Sequence, residues 1–393
     1  MPAKTLHFKV GNGDMTLIET ASGRKILVDI NICAADEPTD ERPDVGEQLR
    51  DRLERDAEDR LYVDAFLLTH PDQDHCRGLR ENFHLGPLSD WSVDDDTIVI
   101  REMWSSPIVF RRASKNHKLC EDAKAWCSEA RRRVAVFRSG ATVADGDRVL
   151  ILGEDIDGKT DDLTSILVKT DEVFRKICGA FDTTFQATLL APMIATDDEE
   201  EELLSKNESS VVVNLWLASG GYLDAAKYLL GGDAEVAIWE KLWDRHQDKP
   251  SELEYDILLS PHHCSWHSLS WDSWSDFGDD AQVSPKARLA LSQTRQGAEV
   301  LASSKPIEDD DDDPPCIRAK REYEGIIKEA SGSFTCLADV NGPAPYELEV
   351  TAGGPRPAER KKASVFAAPY ITGGAGAATG SSTALGSQPF KHG

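Results

Sequence analysis

The chain contains 393 residues, 40% of them hydrophobic, and carries a formal net charge of −26 at pH 7. This composition supports a substantial packed core in one large domain, although the length alone would also allow two or three domains. A uniformly acidic surface would repel nucleic acid, because phosphate backbones are bound mainly through Lys and Arg. Much of the acidity is local, however, in runs such as 197–202 and 309–313 that are typical of solvated loops.

No export signal or membrane span is predicted. The N-terminal stretch lacks a basic region followed by an apolar one, and no apolar run approaches the roughly 18 residues that a membrane helix needs. The eight cysteines are scattered without CxxC pairs, which is typical of reduced thiols. We therefore expect a cytoplasmic protein with no membrane partner. Cys76 and Cys264 adjoin histidines, but buried free cysteine packs as a small apolar side chain more often than it binds a metal.

The first predicted elements form a hairpin. The segment LHFKVGNGDMTLIETASGRKILVDI places the glycine-flanked Asp14 before a strand, a turn at Ser22 and Gly23, and a second strand that ends at Asp29. Asp29 is interpreted either as a strand-end cap or as a group that fixes the orientation of a ligand histidine. Residues 34–60 are predicted to be an insertion, with a charged, solvated helix over its last part.

The most informative segment is LLTHPDQDHCRG, residues 67–78, which continues a short apolar run that predicts a buried strand. It places His70, Asp72, Asp74 and His75 within six residues. Imidazole nitrogens and carboxylate oxygens suit zinc, manganese or iron, and a strand that runs into a tight loop can aim several of them at one point. The alternative is a polar turn in which Asp74 caps the next helix. Two later segments with further ligands favour the metal site.

Residues 85–135 are predicted to form a second insertion, an elaborated cap over the site. Within residues 101–138, ten basic residues stand against four acidic ones, which makes a positive island in an acidic chain. We interpret this island first as the exposed face of an amphipathic helix. The alternative is an arm that binds phosphate.

Later segments repeat the pattern of a strand followed by candidate ligands. LLGGDAE places Asp233 after an apolar run and two glycines, which let the backbone approach a bound ion closely. Three such segments in one chain form a constellation that few folds produce by accident.

The third segment, DILLSPHHCSWHS, ends an apolar run in His262 and His263, with His267 four residues further on. GAEVLASSKPI then predicts a strand that ends near Lys305, which is either a group that receives an anionic substrate or a surface strand end. A helix is predicted over residues 317–330 and a last strand over 333–338. Residues 351–393, rich in Ala, Gly, Ser and Thr, are predicted to be a flexible tail with a possible docking role toward a protein partner.

Together these segments resemble the metallo-β-lactamase superfamily, whose signature loop reads HxHxDH. The variant HxDxDH, matched here by His70, Asp72, Asp74 and His75, is similar to the soluble hydrolase domain of ComEC DNA-uptake proteins. The resemblance covers most of residues 5–340 and implies an α/β fold, an αββα sandwich with inserted helical and cap segments. The hydrolase domain would span residues 1–350. ComEC proteins also carry a membrane channel, whereas this sequence predicts no membrane span, so we expect a soluble hydrolase rather than a DNA-uptake protein.

Carried over by position, the resemblance implies a ligand set for one or two divalent ions, zinc or manganese, made of His70, Asp72, Asp74, His75, Asp233 and His263. His263 is preferred to His262 as the final ligand because a small residue and a serine follow it. Asp74 and His262 are the catalytic candidates. The groups expected to support the ligands or contact substrate are Asp29, Asn207, Ser210, His267 and Lys305. The superfamily's middle histidine has no counterpart, since no histidine lies between His117 and His246.

Three functions follow as hypotheses. The leading one is a phosphodiesterase or nuclease that acts on DNA, RNA or a nucleotide through hydroxide generated at the metal. The second is hydrolysis of an ester, lactone or thioester by the same hydroxide. The third is a non-catalytic or regulatory member of a multi-protein system, such as one of defence. A positive island at the pocket rim would favour the first hypothesis, and its absence from the rim would favour the second.

Overall fold

The computed structural model describes residues 1–33, 43–110, 119–155, 158–193 and 209–358. Asn207 and residues 359–393, which make up most of the predicted tail, lie outside these ranges. Met1–Ala358 forms one compact unit. Within the described ranges, no helix combines the length and the apolar character needed to cross a membrane.

Strands supply most of the regular structure of the described residues. They are β1 (Lys4–His7), β2 (Thr16–Glu19), β3 (Lys25–Val28), β4 (Ile30–Asn31), β5 (Glu54–Arg55), β6 (Leu61–Leu68), β7 (Phe83–His84), β8 (Ile98–Ser105), β9 (Arg148–Leu152), β10 (Leu167–Val168), β11 (Val173–Phe174), β12 (Lys176–Ile177), β13 (Ala180–Phe181), β14 (Phe185–Ala191), β15 (Val212–Ser219), β16 (Tyr222–Leu230), β17 (Tyr255–Leu259), β18 (Thr294–Ala302), β19 (Ser333–Cys336), β20 (Tyr346–Thr351) and β21 (Gly354–Pro357). The helices are α1 (Val45–Arg50), α2 (Gln73–Cys76), α3 (Leu79–Asn82), α4 (Glu121–Arg138), α5 (Val236–His246), α6 (Pro261–Cys264), α7 (Trp274–Phe277), α8 (Pro285–Leu291) and α9 (Ile317–Lys328).

Two large mixed sheets organise these strands. The first has the order β10-β9-β8-β6-β3-β2-β1-β20-β21, with β5 and β7 paired to β6 and β8. The second has the order β11-β14-β15-β16-β17-β18-β19, and β12 and β13 form a separate pair. In the first sheet β3, β6, β8 and β9 are parallel neighbours, and in the second β16 to β19 are parallel. Each sheet therefore has a parallel half in which several strands end at the same edge.

Alternating side chains along the strands divide the apolar residues between the two faces of each sheet. In β3, Ile26 and Val28 join one buried cluster and Leu27 joins another. The cluster with Ile26 and Val28 also contains Leu230 and Ile257 of the second sheet. One apolar layer is thus shared by the inner faces of the two sheets.

Amphipathic helices cover the outer faces. On the first sheet, α4 buries Trp126 against Phe66 of β6, with ring centroids 4.9 Å apart. On the second sheet, Trp239 of α5 and Tyr323 of α9 lie in one cluster with Leu258 of β17. The described chain therefore has a mixed α/β fold with its apolar layers between and outside the sheets.

The predicted cap over residues 85–135 is wrong, because this region contains β8 and most of α4. β8 lies inside the first sheet between β6 and β9. The charged residues Arg101 and Glu102 interrupt the apolar run and make this strand hard to predict, but each has a polar partner in the fold. The guanidinium of Arg101 lies 3.3 Å from the carboxylate of Asp64. The carboxylate of Glu102 accepts a hydrogen bond of 2.9 Å from the indole of Trp104.

The described arginines of the positive island stabilise the fold. Arg133 is buried on α4, and its Nε lies 2.8 Å from Oε1 of Glu129. Arg132 pairs with the same glutamate and with Asp147, at 2.7 and 2.6 Å. Arg138 lies 2.7 Å from the carboxylate of Asp162. Residues 111–118 lie outside the described ranges. The described residues favour the helix face over a phosphate-binding arm, but Arg133 is buried and not on the exposed face.

Two element predictions near the chain's ends also differ from the structure. The solvated helix expected over residues 50–60 is absent there, because α1 ends at Arg50 and a turn leads into β5. The first sheet continues past the expected domain boundary at residue 350, since the hairpin of β20 and β21 pairs with β1.

Candidate metal centre

Three candidate ligands and the supporting Asp29 follow the ends of four strands. Asp29 follows β3, His70 follows β6, Asp233 follows β16 and His263 follows β17. β3 and β6 are parallel neighbours in one sheet, and β16 and β17 are parallel neighbours in the other. Functional groups of parallel sheets gather outside the carboxyl ends of their strands. The fold therefore delivers side chains from both sheets to one place.

A glycine lets the two sheets approach at this point. Gly232 has a φ of +49°, and a Cβ added there would lie 2.9 Å from Oγ1 of Thr69. The carbonyl of Gly232 accepts a hydrogen bond of 3.0 Å from the amide of His262. Any side chain at position 232 would push the Asp233 loop away from the end of β6, which explains the glycine before the acid.

Left-handed backbone conformations are concentrated here. Asp29, His262, His263 and Cys264 have φ values of 50°, 50°, 53° and 69°. A non-glycine residue in this region costs about 1–3 kcal/mol, and such strain is typical of functional sites. The surrounding contacts therefore hold the histidine loop of α6 in a shape that its residues do not prefer.

Asp233 is the centre of the cluster. Its Oδ1 lies 3.0 Å from Nε2 of His75 and 3.6 Å from Nε2 of His263. Its Oδ2 lies 3.5 Å from Nε2 of His70 and 3.8 Å from Nε2 of His262. Four imidazoles from two different sheets thus surround one buried carboxylate. This arrangement is expected of a carboxylate that binds a metal ion together with histidine ligands.

Three further carboxylates border the same imidazoles. Oδ2 of Asp74 lies 3.3 Å from Nε2 of His263, and Oδ2 of Asp72 lies 3.8 Å from Nε2 of His70. Oδ1 of Asp14 lies 3.4 Å from Nδ1 of His263. The Asp72 side chain is 58% exposed, whereas the Asp14 side chain is 4% exposed. The six ligands implied by the sequence therefore come together, and Asp14 joins them.

Asp14, His75, Asp233 and His263 form a buried quartet whose ligand atoms all lie within 4.8 Å of one another. Sequence reasoning placed Asp14 in the first hairpin and left it out of the ligand set. The sequence feature that marks Asp14 is an acid between Gly13 and a strand. Its place in the cluster depends on a contact between distant segments, because the backbone amide of Asp14 donates to the carbonyl of Asp74 over 3.3 Å.

Buried polar atoms without hydrogen-bond partners converge on the quartet. They are Oδ1 of Asp14, Nε2 of His70, Nε2 of His75, Oδ1 of Asp233 and Nε2 of His263. An unpaired buried polar atom costs about 1–3 kcal/mol, so several of them at one point require a common partner. A divalent cation satisfies imidazole nitrogens and carboxylate oxygens together. The residues present therefore fit a metal ion.

Asp29 supports His75 from behind. Its Oδ2 lies 2.9 Å from Nδ1 of His75 and accepts a 2.6 Å bond from the hydroxyl of Thr69, whose amide donates to Oδ1 over 2.7 Å. A carboxylate only accepts, so the proton of His75 belongs on Nδ1 and Nε2 faces the cluster. Burial raises the pKa of Asp29, and His75 and Thr69 oppose this shift.

Charges within the cluster shift the pKa values of its members. Burial lowers the pKa of His75, but the carboxylates of Asp233 and Asp29 outweigh it and hold this pKa well above its ordinary value. Asp233 and neighbouring acids likewise overcome burial and raise the pKa of His263 to about 10. Burial opposes ionisation of Asp233 and Asp74, yet the histidines hold both pKa values below their ordinary range. In the metal-free protein, protons on imidazoles balance the acids, and a metal ion would replace them.

The remaining candidates lie at different distances from the cluster. His262 is half-buried, and burial lowers its pKa. Ser210 is buried and accepts a bond of 3.2 Å from the amide of Asp233, so it supports the loop. His267 does not join the cluster, since its side chain is 41% exposed and its contact is Asp313 at 3.9 Å.

A pocket of about 800 Å³ opens beside the cluster. Asp74 lies both in the cluster and in the pocket wall, and the wall also contains Lys9, Arg77 and Lys305. No described residue of the positive island lines it. The predicted contact of Lys305 with an anionic group is thus compatible with its position, but the cations near the site differ from those of the island.

Comparisons with known proteins do not assign a family. No family model matches the chain, and no curated protein sequence does either. Among solved structures, the chain is similar to the isothiocyanate hydrolase from Delia radicum gut bacteria, with 11% sequence identity and a TM-score of 0.35 over 87% of this chain and 99% of that chain. The case for a function rests on the site itself.

Proposed function

We propose that the protein is a metal-dependent hydrolase with the αββα sandwich of the metallo-β-lactamase type, related to the hydrolase domain of ComEC proteins. The two face-to-face sheets with helices outside them support the sandwich. The variant loop with His70, Asp72, Asp74 and His75 supports the relationship.

The observation that carries the proposal is the convergence of unpartnered imidazole nitrogens and carboxylate oxygens on one buried point. A set of buried groups that only stabilised the fold would be paired among themselves. Here Nε2 of His75 lies 3.0 Å from Oδ1 of Asp233 as a charge contact, but the geometry of a directed hydrogen bond is absent at both atoms. Asp14, His75, Asp233 and His263 would hold the ion, with His70, Asp72 and Asp74 around them.

A bound divalent ion lowers the pKa of a coordinated water toward neutrality and polarises the substrate. Asp74 would orient the attacking water by accepting its hydrogen bond at Oδ2, because this carboxylate is ionised and borders the pocket. Asp29 keeps the proton of His75 on Nδ1. His262 would donate a hydrogen bond to the substrate from the rim of the cluster.

The leading substrate class is a phosphodiester, supported by Lys9, Arg77 and Lys305 in the pocket wall. These cations complement a phosphate that stays anionic throughout hydrolysis. A neutral ester, lactone or thioester is the second candidate. The observation in its favour is that no described residue of the positive island lines the pocket.

The test combines metal analysis with a substrate panel. The purified protein is analysed for bound zinc and manganese and assayed on bis-p-nitrophenyl phosphate, single-stranded and duplex DNA, RNA, and acyl esters. We expect metal in the purified protein and cleavage of the phosphodiesters. Asp74→Ala should lose at least a hundredfold in activity, whereas the exposed Asp248→Ala should retain it.

Each other outcome points to a different conclusion. Turnover of an acyl ester with no phosphodiester cleaved would replace the leading substrate class by the second. Activity unchanged in Asp74→Ala would assign the hydrolysis to another site or to a contaminant. Protein that retains no metal would favour the non-catalytic, regulatory role.

A further inference from the structure

The pocket beside Asp74 has a charge opposite to that of the whole chain. The chain carries a net charge of −26, but the pocket wall contains Lys9, Arg77 and Lys305 and, among its described residues, one acid, Asp74. These cations come from three separate segments: the turn after β1, the end of α2 and the end of β18. Such a local reversal of charge indicates an anionic ligand.

Two of the cations have no carboxylate partner in the described chain. The guanidinium of Arg77 donates to the thiol of Cys33 over 3.0 Å, and its buried Nε has no hydrogen-bond partner. The ammonium of Lys305 forms no ion pair with the described residues. The backbone at this lysine is nevertheless fixed, because its amide donates to Oδ1 of Asn12 over 3.0 Å. Arg77 and Lys305 are therefore available to an external anion.

The neutral polar groups of the wall are largely used within the protein. The hydroxyl of Ser303 donates to the carbonyl of Gly13 over 2.6 Å, and that of Ser304 to the carbonyl of Lys305 over 2.9 Å. The side-chain amide of Asn31 donates to the backbone carbonyl of Asn12 over 3.1 Å. The cations are thus the main groups left to recognise a ligand.

The described wall also contains no Phe, Tyr or Trp. Proteins that hold unpaired bases generally stack them on aromatic rings. A pocket with cations and without aromatic rings suits a phosphate and offers no ring on which a base could stack.

We propose that this pocket binds a second phosphate group of the substrate, next to the scissile phosphodiester, and recognises no base. The proposal rests on the proposed function, because Asp74 joins the pocket to the metal cluster and so sets the second phosphate beside the reacting one. The preferred substrate is then a phosphodiester that carries a neighbouring phosphate.

A binding experiment tests the pocket without hydrolysis. Calorimetric titration of the metal-loaded protein compares thymidine 3′,5′-bisphosphate with thymidine 5′-monophosphate. The bisphosphate should bind about tenfold more tightly, the ratio that one charge-assisted contact of about 1.4 kcal/mol provides. This preference should fall toward one in Lys305→Ala and in Arg77→Ala, and with increasing salt. It should persist in Lys328→Ala, which removes an exposed lysine outside the pocket.

A kinetic experiment uses a matched pair of esters, thymidine 5′-(p-nitrophenyl phosphate) with and without a 3′-phosphate. The value of kcat/KM should be about tenfold higher for the 3′-phosphorylated ester, and this ratio should also be lost in Lys305→Ala. Replacing thymine by hydrogen in both esters should leave the ratio unchanged.

The two proposals fail in different ways. Equal binding of the two nucleotides, or a preference that survives in both Lys305→Ala and Arg77→Ala, overturns the second phosphate site even if both esters are cleaved. The second phosphate site is also overturned if the kcat/KM ratio of the two esters falls to one when thymine is replaced by hydrogen. A clear binding preference without cleavage of any phosphodiester supports the phosphate site and overturns the phosphodiesterase.

Discussion

Asp29 is the residue on which the orientation of His75 depends. It is buried, it has a left-handed φ of 50°, and its two oxygens face three donors, namely Nδ1 of His75 and the amide and hydroxyl of Thr69. No single amide side chain can reproduce this, because the NH2 group of an asparagine would face a donor. The geometry of the cluster therefore depends on a residue that offers it no ligand atom.

We predict that Asp29→Asn lowers metal affinity about 10- to 100-fold, the range typical for loss of a carboxylate behind a ligand histidine. Competition with a chromophoric chelator measures the affinity. Asp248→Asn, at an exposed position, is the matched control and should bind metal normally. An unchanged affinity in Asp29→Asn would mean that His75 is oriented by its packing alone.

His7 produces a pH dependence that is separate from the metal. It is buried between Thr5 and Thr16, and burial lowers its pKa to about 3. The unfolded chain therefore binds a proton near pH 6.5 that the folded protein excludes, and the contribution of His7 to stability is lost as pH falls from about 6.5 to about 3. The loss should be about 1.4 kcal/mol per pH unit. We predict that the free energy of unfolding of His7→Gln, measured with urea at several pH values, falls less steeply with decreasing pH than that of the wild type, by about this amount. An identical pH dependence in the two proteins would contradict the prediction.

At the scale of elements, the loops after strands could be predicted and the packing between sheets could not. Short apolar runs that end in His70, Asp233 and His263 mark strand ends because buried parallel strands are apolar throughout. β20 is hard to predict because the alternation in YELEVT provides only two buried residues, Leu348 and Val350, beside a segment rich in glycine and proline. Its partner β1 lies more than three hundred residues away in the chain, so no local sequence pattern predicts the pairing.

The approach of the loop after β16 to the end of β6 gives a prediction about one glycine. Gly232→Ala combines an unfavourable φ of +49° with a Cβ contact of 2.9 Å to Thr69. Gly140→Ala, at a φ of +72° with no atom within 4 Å, carries only the conformational cost of about 1–2 kcal/mol. We predict that Gly232→Ala is the less stable of the two in urea and that it alone loses metal retention. Equal stability and equal metal content would show that the two loops are not tightly apposed.

At the scale of the whole molecule, the negative charge of the clustered carboxylates can be balanced in two ways. Asp14, Asp74 and Asp233 repel one another, and either protons on His75 and His263 or a divalent ion can balance them. The histidine protons stabilise the metal-free fold fully below about pH 6.5. Because the pKa of His263 is raised to about 10, this stabilisation is lost as pH rises toward that value. The ion has the opposite dependence, since it binds deprotonated imidazole and competes less with protons as pH rises.

Metal should therefore stabilise the protein more at high pH than at low pH. A ligand present at 100 to 1,000 times its Kd stabilises the folded state by about 2.7–4.1 kcal/mol, so the effect is measurable by thermal unfolding. We predict that the difference in Tm between metal-loaded and chelator-treated protein widens from pH 6.5 to pH 9. Asp233→Asn, which removes the central charge, should abolish the difference at every pH. A difference that stays constant or narrows with rising pH would mean that the ion and the histidine protons do not compete, and that the metal binds elsewhere.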